Sequence, residues 1–182
     1  MIDESGLLMA PLVRRTWAPR GQTPELHQES GRREKVSVAA AMWLSPRRDH
    51  LGLFFKTLVN GYFDNWYSAA FLEALVKELA GRVVVVWDGG GTHQGDPIRD
   101  LQDVMADRLS IEKLPAYAPT LNPAEPVWSW LKWGQLSNFA PDNATHLNER
   151  VVSELTAIQD NQEALRGFWE TSELPLPRAL FS

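Results

Sequence analysis

The chain has no cysteine among its 182 residues, which excludes a disulfide framework and any thiolate zinc site and suits a reducing cytoplasm. Long apolar runs are missing too. The stretches from Val83 to Trp87 and from Leu51 to Phe55 fall far short of the roughly 20 residues that span a bilayer. The opening Met1-Ile2-Asp3-Glu4-Ser5 lacks the basic and apolar parts of a secretion signal. No segment repeats with a period of roughly 20 to 50 residues, so solenoids and propellers are excluded. Positive charge is in short supply, with 18 Lys and Arg against 23 Asp and Glu and a net charge of -5. That balance argues mildly against a nucleic-acid partner, because phosphate neutralisation falls to Lys and Arg.

What is present is enough for one compact domain over residues 1–182, since 44% hydrophobic and 10% aromatic content supports a sizeable core. The charge is unevenly spread. Residues 1–56 carry nine basic and six acidic residues, including the doublets Arg14-Arg15, Arg32-Arg33 and Arg47-Arg48, whereas the remainder carries nine against 17. Such doublets suit a DNA backbone, and they suit solvated loops equally well.

The patterning predicts an α/β fold. Val36 to Leu44 and Leu51 to Val59 read as strands joined by the turn Ser45-Pro46-Arg47-Arg48-Asp49, an antiparallel hairpin. Gly6 to Leu12 and Thr16 to Leu26 are expected to add edge structure. Asp64 caps a helix with Phe71, Leu72, Leu75, Val76 and Leu79 on one face and Gly81 at its end. Val83 to Trp87 reads as a strand buried on both faces. Asp96-Pro97 is expected to cap and open a helix with Ile98, Leu101, Val104 and Met105 as its buried stripe, before a strand over Ile111 to Leu114. The alternation from Leu51 favours parallel strands with crossover helices after the antiparallel start. Asn122-Pro123 opens another helix with Val127, Trp128 and Leu131, and Thr145 starts one with Leu147, Val151, Leu155 and Ile158. The tail from Leu174 is expected to fray.

Three acids stand at meaningful places: Asp3 near the start of the first strand, Asp88 at the end of the most apolar strand, and Glu125 in the first turn of a helix. Two-metal phosphoryl chemistry needs such a set of hard oxygen donors, which suits Mg²⁺ or Mn²⁺. Each acid also has a plainer reading. Asp88 before Gly89-Gly90-Gly91 can simply end a strand in a turn. Glu125 can close a capping box on Asn122. Asp3 lies near a chain end, where acids are common. Glu4 is expected to point to the opposite strand face from Asp3 and is not counted. His93 can meet a phosphate or a metal-held water, or sit exposed and idle in a Gly-rich loop. That loop carries neither phosphate-binding fingerprint, and no G-x-S-x-G elbow occurs.

A resemblance adds to this reading. Val84-Val85-Val86-Trp87-Asp88-Gly89-Gly90-Gly91-Thr92-His93 is similar to the second-aspartate motif of DDE-type transposases in the bacterial insertion-sequence branch of the mariner superfamily, with a His five positions after the Asp. Leu114 to Lys132, with Pro119-Thr120-Leu121-Asn122-Pro123-Ala124-Glu125-Pro126-Val127-Trp128, resembles the third motif, and 36 residues separate Asp88 from Glu125. Asp3-Glu4-Ser5 matches the opening motif, and Leu136 to Leu174 resembles the closing helices.

The resemblance implies a ribonuclease H-like mixed sheet flanked by helices, and DNA strand cleavage and strand transfer at transposon ends. Asp3 and Asp88 would share one Mg²⁺ or Mn²⁺ ion, and Asp3 and Glu125 a second. Double-stranded DNA would be the partner, with a homodimer or an upstream-frame DNA-binding segment completing the assembly in the cytoplasm or nucleoid. His93, Lys132, Arg14 and Arg15 would be auxiliary or DNA-contacting residues, and Trp128 would pack the helix holding Glu125. Two departures accompany the match. Only Met1 and Ile2 precede Asp3, where a chain end would fray, and the N-terminal helix-turn-helix region is missing, which suggests a split frame, a truncated copy or a partial product. Glycines at 89–91 replace bulkier residues and are expected to loosen the loop beside Asp88. The alternatives are an inactive remnant that binds DNA or a partner chain without cutting, and a nuclease acting on structured nucleic acid.

Overall fold

The hairpin around Ser45 forms because its turn supplies its own hydrogen bonds. The Ser45 hydroxyl accepts from the backbone N–H of Asp49 and His50 at 3.1 and 3.2 Å and donates to the Asp49 carboxylate at 2.6 Å. The structure is a computed structural model and describes residues 1–27, 34–115 and 118–175. Three predicted features therefore lie outside the described residues: the doublet Arg32-Arg33, Ala116-Tyr117 of the third motif, and the tail over 176–182.

Strand β1 (Ile2–Leu8) pairs antiparallel with β2 (Lys35–Leu44), which pairs antiparallel with β3 (Leu51–Val59). Strand β2 is central, and its Val and Ala side chains are small because both faces are covered. On one face Val36, Val38, Ala40 and Met42 meet Val127, Leu131, Val151, Leu155 and Leu165. On the other, Ala39 and Ala41 join Ile2, Phe71, Leu72, Leu75, Val85 and Trp87. The period of two along one strand thus feeds two cores. Pairing begins at Ile2, which is buried, so the strand is not frayed where it carries Asp3.

Helix α1 (Asn65–Glu78) starts as predicted, with the Asp64 carboxylate accepting from the N–H groups of Trp66 and Tyr67. Its last carbonyls are closed by a residue that local sequence does not mark. Half-buried Arg108 donates to the carbonyls of Val76, Leu79 and Gly81 at 2.7, 2.6 and 3.1 Å. Truncating Arg108 to Ala leaves these acceptors without their charged donor and is expected to cost about 2 kcal/mol in urea unfolding. A midpoint equal to that of the wild type would contradict the cap.

Strand β4 (Val83–Trp87) pairs in parallel with β5 (Leu109–Lys113), joined by α2 (Asp96–Val104). The antiparallel and parallel parts are both present, as two hydrogen-bonded ladders. Two local expectations are corrected. Strand β4 is not buried on both faces: Val85 and Trp87 pack inward, but Val84 is 59% exposed. The face bearing Val84 and Val86 opens on a cavity of about 570 Å³ that Ile2, Met42, Leu44 and Trp169 also line. In α2 the cap is Gly95, at φ 117°, with Asp96 as the first helical residue. Val104 is 82% exposed. Six residues at ~100° each turn it well away from Ile98, whereas Leu101 and Met105 stay on the packed side.

Helix α3 (Glu125–Trp130) begins after Ala124, with Pro126 in its first turn, two residues later than the Asn122-Pro123 signal predicts. It runs into a π-helical turn over Leu131–Gln135. Helix α4 (Ala144–Ile158) is capped by the Asn143 side chain in place of Thr145, and α5 (Gln162–Glu170) follows from an Asn161 cap. Leu174 packs half-buried against the core, and most of the tail expected to fray lies outside the described residues. Thr16 to Leu26 forms no edge strand, only the turn Pro19–Gln22 with Gly21 at φ 84°. Beyond β1, Leu12 makes a single parallel bridge to Ser137. No helix among the described residues is long and apolar enough to cross a membrane.

Candidate active site

Alternation along β1 sends Asp3 and Glu4 to opposite faces, Asp3 opposite Ala40 and Glu4 opposite Ala39. Asp3 faces the α3 side. There the buried Trp128 indole N–H donates to its Oδ2 at 2.7 Å. Trp128 therefore packs α3 as expected and also holds a carboxylate, a role its sequence position did not reveal. The buried Asn122 ties the start of the third motif to the same strand, its amide donating to the Ile2 carbonyl at 3.3 Å and its Oδ1 accepting from Ala124 N–H at 3.2 Å. Asn122 is spent on this link, and α3 begins without a side-chain cap.

Asp3 and Glu125 are brought together. Burial pushes the Asp3 carboxyl up to about 7; the Glu125 charge adds to the rise, and the Trp128 hydrogen bond opposes it. A neighbouring acid destabilises the charged form of a half-buried carboxyl such as Asp3. A divalent cation would relieve that repulsion, so the donor set fits Mg²⁺ or Mn²⁺ on chemical grounds.

Asp88 follows β4 and is half exposed. Its Oδ1 accepts from Gly90 N–H at 2.9 Å and meets His93 Nδ1. The Asp88 side chain is thus turned to His93, and among the described residues no three acidic or histidine side chains stand close enough to hold one metal ion. His93 is not the exposed, idle residue of a loose loop: its side chain is 6% exposed and stacks on Trp87 at a centroid distance of 3.9 Å. Its Nε2 lies 2.9 Å from Glu4 Oε2. Burial alone would lower the pKa of this imidazole, but the Glu4 hydrogen bond and charge, with that of Asp88, outweigh it and raise the value.

The glycines do not leave the loop slack. Gln94 donates to the Gly89 carbonyl at 2.9 Å, and His93 N–H to that of Gly90 at 3.0 Å. A Cβ at Gly90 would lie 3.0 Å from both Asp88 Oδ1 and His93 Nδ1, so glycine there makes room for the contact. Glu4, which the sequence reading set aside, is joined to the site through His93. The alternation rule was right about its direction; what it could not supply was that β4 brings an imidazole to that face.

The basic candidates lie elsewhere on the fold. Arg14 is tied down, its backbone N–H donating to Asn138 Oδ1 at 2.8 Å and its guanidinium to the Trp133 carbonyl. Arg15 is exposed. Lys132 is half-buried in the π-helical turn and lines a pocket of about 430 Å³ with Leu12, Trp133 and Phe139.

Solved structures with this arrangement of elements exist. The Mos1 transposase paired-end complex with left transposon end superposes with TM-score 0.61 at 14% identity over 99% of this chain and 51% of that one. The Mos1 mariner paired-end complex with Mn gives 0.62 at 17% over 93% and 52%. The Mos1 strand transfer complex gives 0.60 at 17% over 93% and 49%. The likeness shows that the chain shares a fold with part of those chains, and it spans about half their length. Comparison with curated protein sequences finds no match. A family model described as DDE superfamily endonuclease matches residues 1–147, covering all three acids and the segments that carry them, and the chain belongs to that family.

Proposed function

We propose that this chain is the catalytic domain of a transposase, cutting DNA strands at transposon ends and joining the freed 3′ ends to target DNA. The observation that carries the proposal is the Asp3–Glu125 pair, with Asp88 at the end of the neighbouring strand. Asp3 and Glu125 would hold one Mg²⁺ or Mn²⁺, and Asp3 and Asp88 a second. Such ions would supply charge for the attacking and leaving oxygens of an in-line phosphoryl displacement. The chain's own residues set the donors. Trp128 fixes Asp3 by Oδ2, Asn122 pins the third motif to β1, and Gly90 and His93 fix Asp88 by Oδ1. A folded protein keeps such a costly acid pair where the site works, so the inactive-remnant reading is less favoured.

The partner is double-stranded DNA, and the structures it resembles are paired-end assemblies, which supports action as a homodimer or with a separate DNA-binding segment. A single catalytic domain over 1–182, working in the cytoplasm at the nucleoid, fits the lack of cysteine. The test is nicking of supercoiled DNA carrying the element's ends, with Mg²⁺ or Mn²⁺. Asp88→Ala is expected to lower the rate by at least about 10³-fold, the equivalent of several kcal/mol of lost transition-state stabilisation. Undiminished nicking by that variant would remove the proposal.

A further inference from the structure

Glu4 costs the fold something that its neighbours do not explain. Its Oε1 is buried with no hydrogen-bond partner among the described residues. A buried carboxylate oxygen left unpaired is unfavourable, so what Glu4 gains must come through its other oxygen, which meets His93 Nε2 at 2.9 Å. The imidazole in turn has little freedom. It is stacked on the buried Trp87, and its Nδ1 faces Asp88 twice, at the backbone carbonyl 3.2 Å away and at the side-chain Oδ1. Gly90 N–H and His93 both engage that single oxygen, and Oδ2 has no partner among the described residues. Strand β1 therefore serves the site from both faces, with Asp3 on one and an anchor for Asp88 on the other.

We propose that Glu4 and His93 form a positioning clamp that holds Asp88 by Oδ1 and presents Oδ2 to a divalent cation. The inference rests on the metal-site reading above and adds the outer partners that orient one of its ligands. Histidines and carboxylates placed behind a ligand typically change metal affinity by about 10- to 100-fold when removed. Glu4 reaches Asp88 through His93, and this distinguishes a clamp from two independent packing contacts.

The experiment is Mn²⁺ binding to the full 182-residue chain by calorimetry and by the Mn²⁺ electron paramagnetic resonance signal, with no DNA present. His93→Ala is expected to weaken binding by about 10- to 100-fold. Glu4→Gln is expected to weaken it less, and to have a clearly smaller effect when His93 is already Ala, the non-additivity expected of residues acting in series. His93→Asn, whose amide can still donate toward Asp88, is expected to recover part of the loss and guards against a variant that fails to fold. In the metal-free chain, Glu4→Gln should also move the ¹⁵N resonance of His93 Nε2. Wild-type affinity in folded His93→Ala and His93→Asn would overturn the clamp alone. So would a Glu4→Gln effect undiminished in the His93→Ala background. A wild-type chain that binds no Mn²⁺ would overturn the metal site, and the clamp with it.

Discussion

Asp3→Asn is expected to make the metal-free protein more stable above pH 7, by about 2 to 4 kcal/mol, while abolishing DNA nicking. Burial beside Glu125 holds the Asp3 carboxyl near 7, against 3.8 for the free group. Between about pH 4 and pH 7 the unfolded chain has already lost this proton and the folded chain still keeps it. Protons bound by the folded state exceed those bound by the unfolded state, so stability falls as pH rises through that window. Asn carries no charge and retains an oxygen for the Trp128 indole, so its unfolding curve lacks this limb. Denaturant melts of both proteins, from pH 4 to pH 8 with chelator present, should coincide at the acid end and separate steadily toward neutrality. Adding Mn²⁺ should close the gap from the wild-type side, because a ligand that binds only the folded state stabilises it by mass action. Parallel curves across the whole range would mean that Asp3 is not under the strain described.

Trp128 carries the second large effect. Its side chain is buried against the β2 face and the closing helices, so Trp128→Ala is expected to cost about 3 to 5 kcal/mol, as large aromatic truncations in well-packed cores do. Trp128→Phe separates packing from the bond to Asp3. It keeps much of the buried area and removes the only donor that holds Asp3 Oδ2 at 2.7 Å among the described residues. The Phe variant is expected to lose only about 1 kcal/mol of stability but about tenfold in Mn²⁺ affinity. If the Phe variant binds Mn²⁺ like the wild type, the indole only fills space.

Much of this architecture was legible in the sequence, and the exceptions share a cause. The hairpin, the start of α1 and the parallel β4–β5 pair were readable because turn chemistry, a capping Asp and an apolar run are local signals. Helix starts were read one or two residues off where a neighbouring residue could also take the cap position, as with Gly95 for Asp96 and Asn143 for Thr145. Asn122 was misread because its side chain is used over 120 positions of sequence, on the Ile2 carbonyl. Helix α5 was not separated from α4, although Leu165 and Trp169 at helical spacing after Asn161 would have marked it. In the site, Asp3, Asp88 and Glu125 were found by resemblance to motifs. The roles of Glu4 and Trp128 depend on which element lies across from them, and Arg108 closes a helix that ends almost 30 residues earlier in the chain.

The division of the strands into two ladders has a mechanical consequence. Neighbouring strands locked by ladder bonds keep a fixed register, but β1 and β4 meet through Ile2, Val85 and Trp87, and through the histidine that bridges their ends. The gap between their carboxylates is therefore set by apolar contact and one imidazole. Among the described residues no ladder bond spans that gap, so its width follows the fit of these side chains, much as the opening of a jaw follows the seat of its hinge.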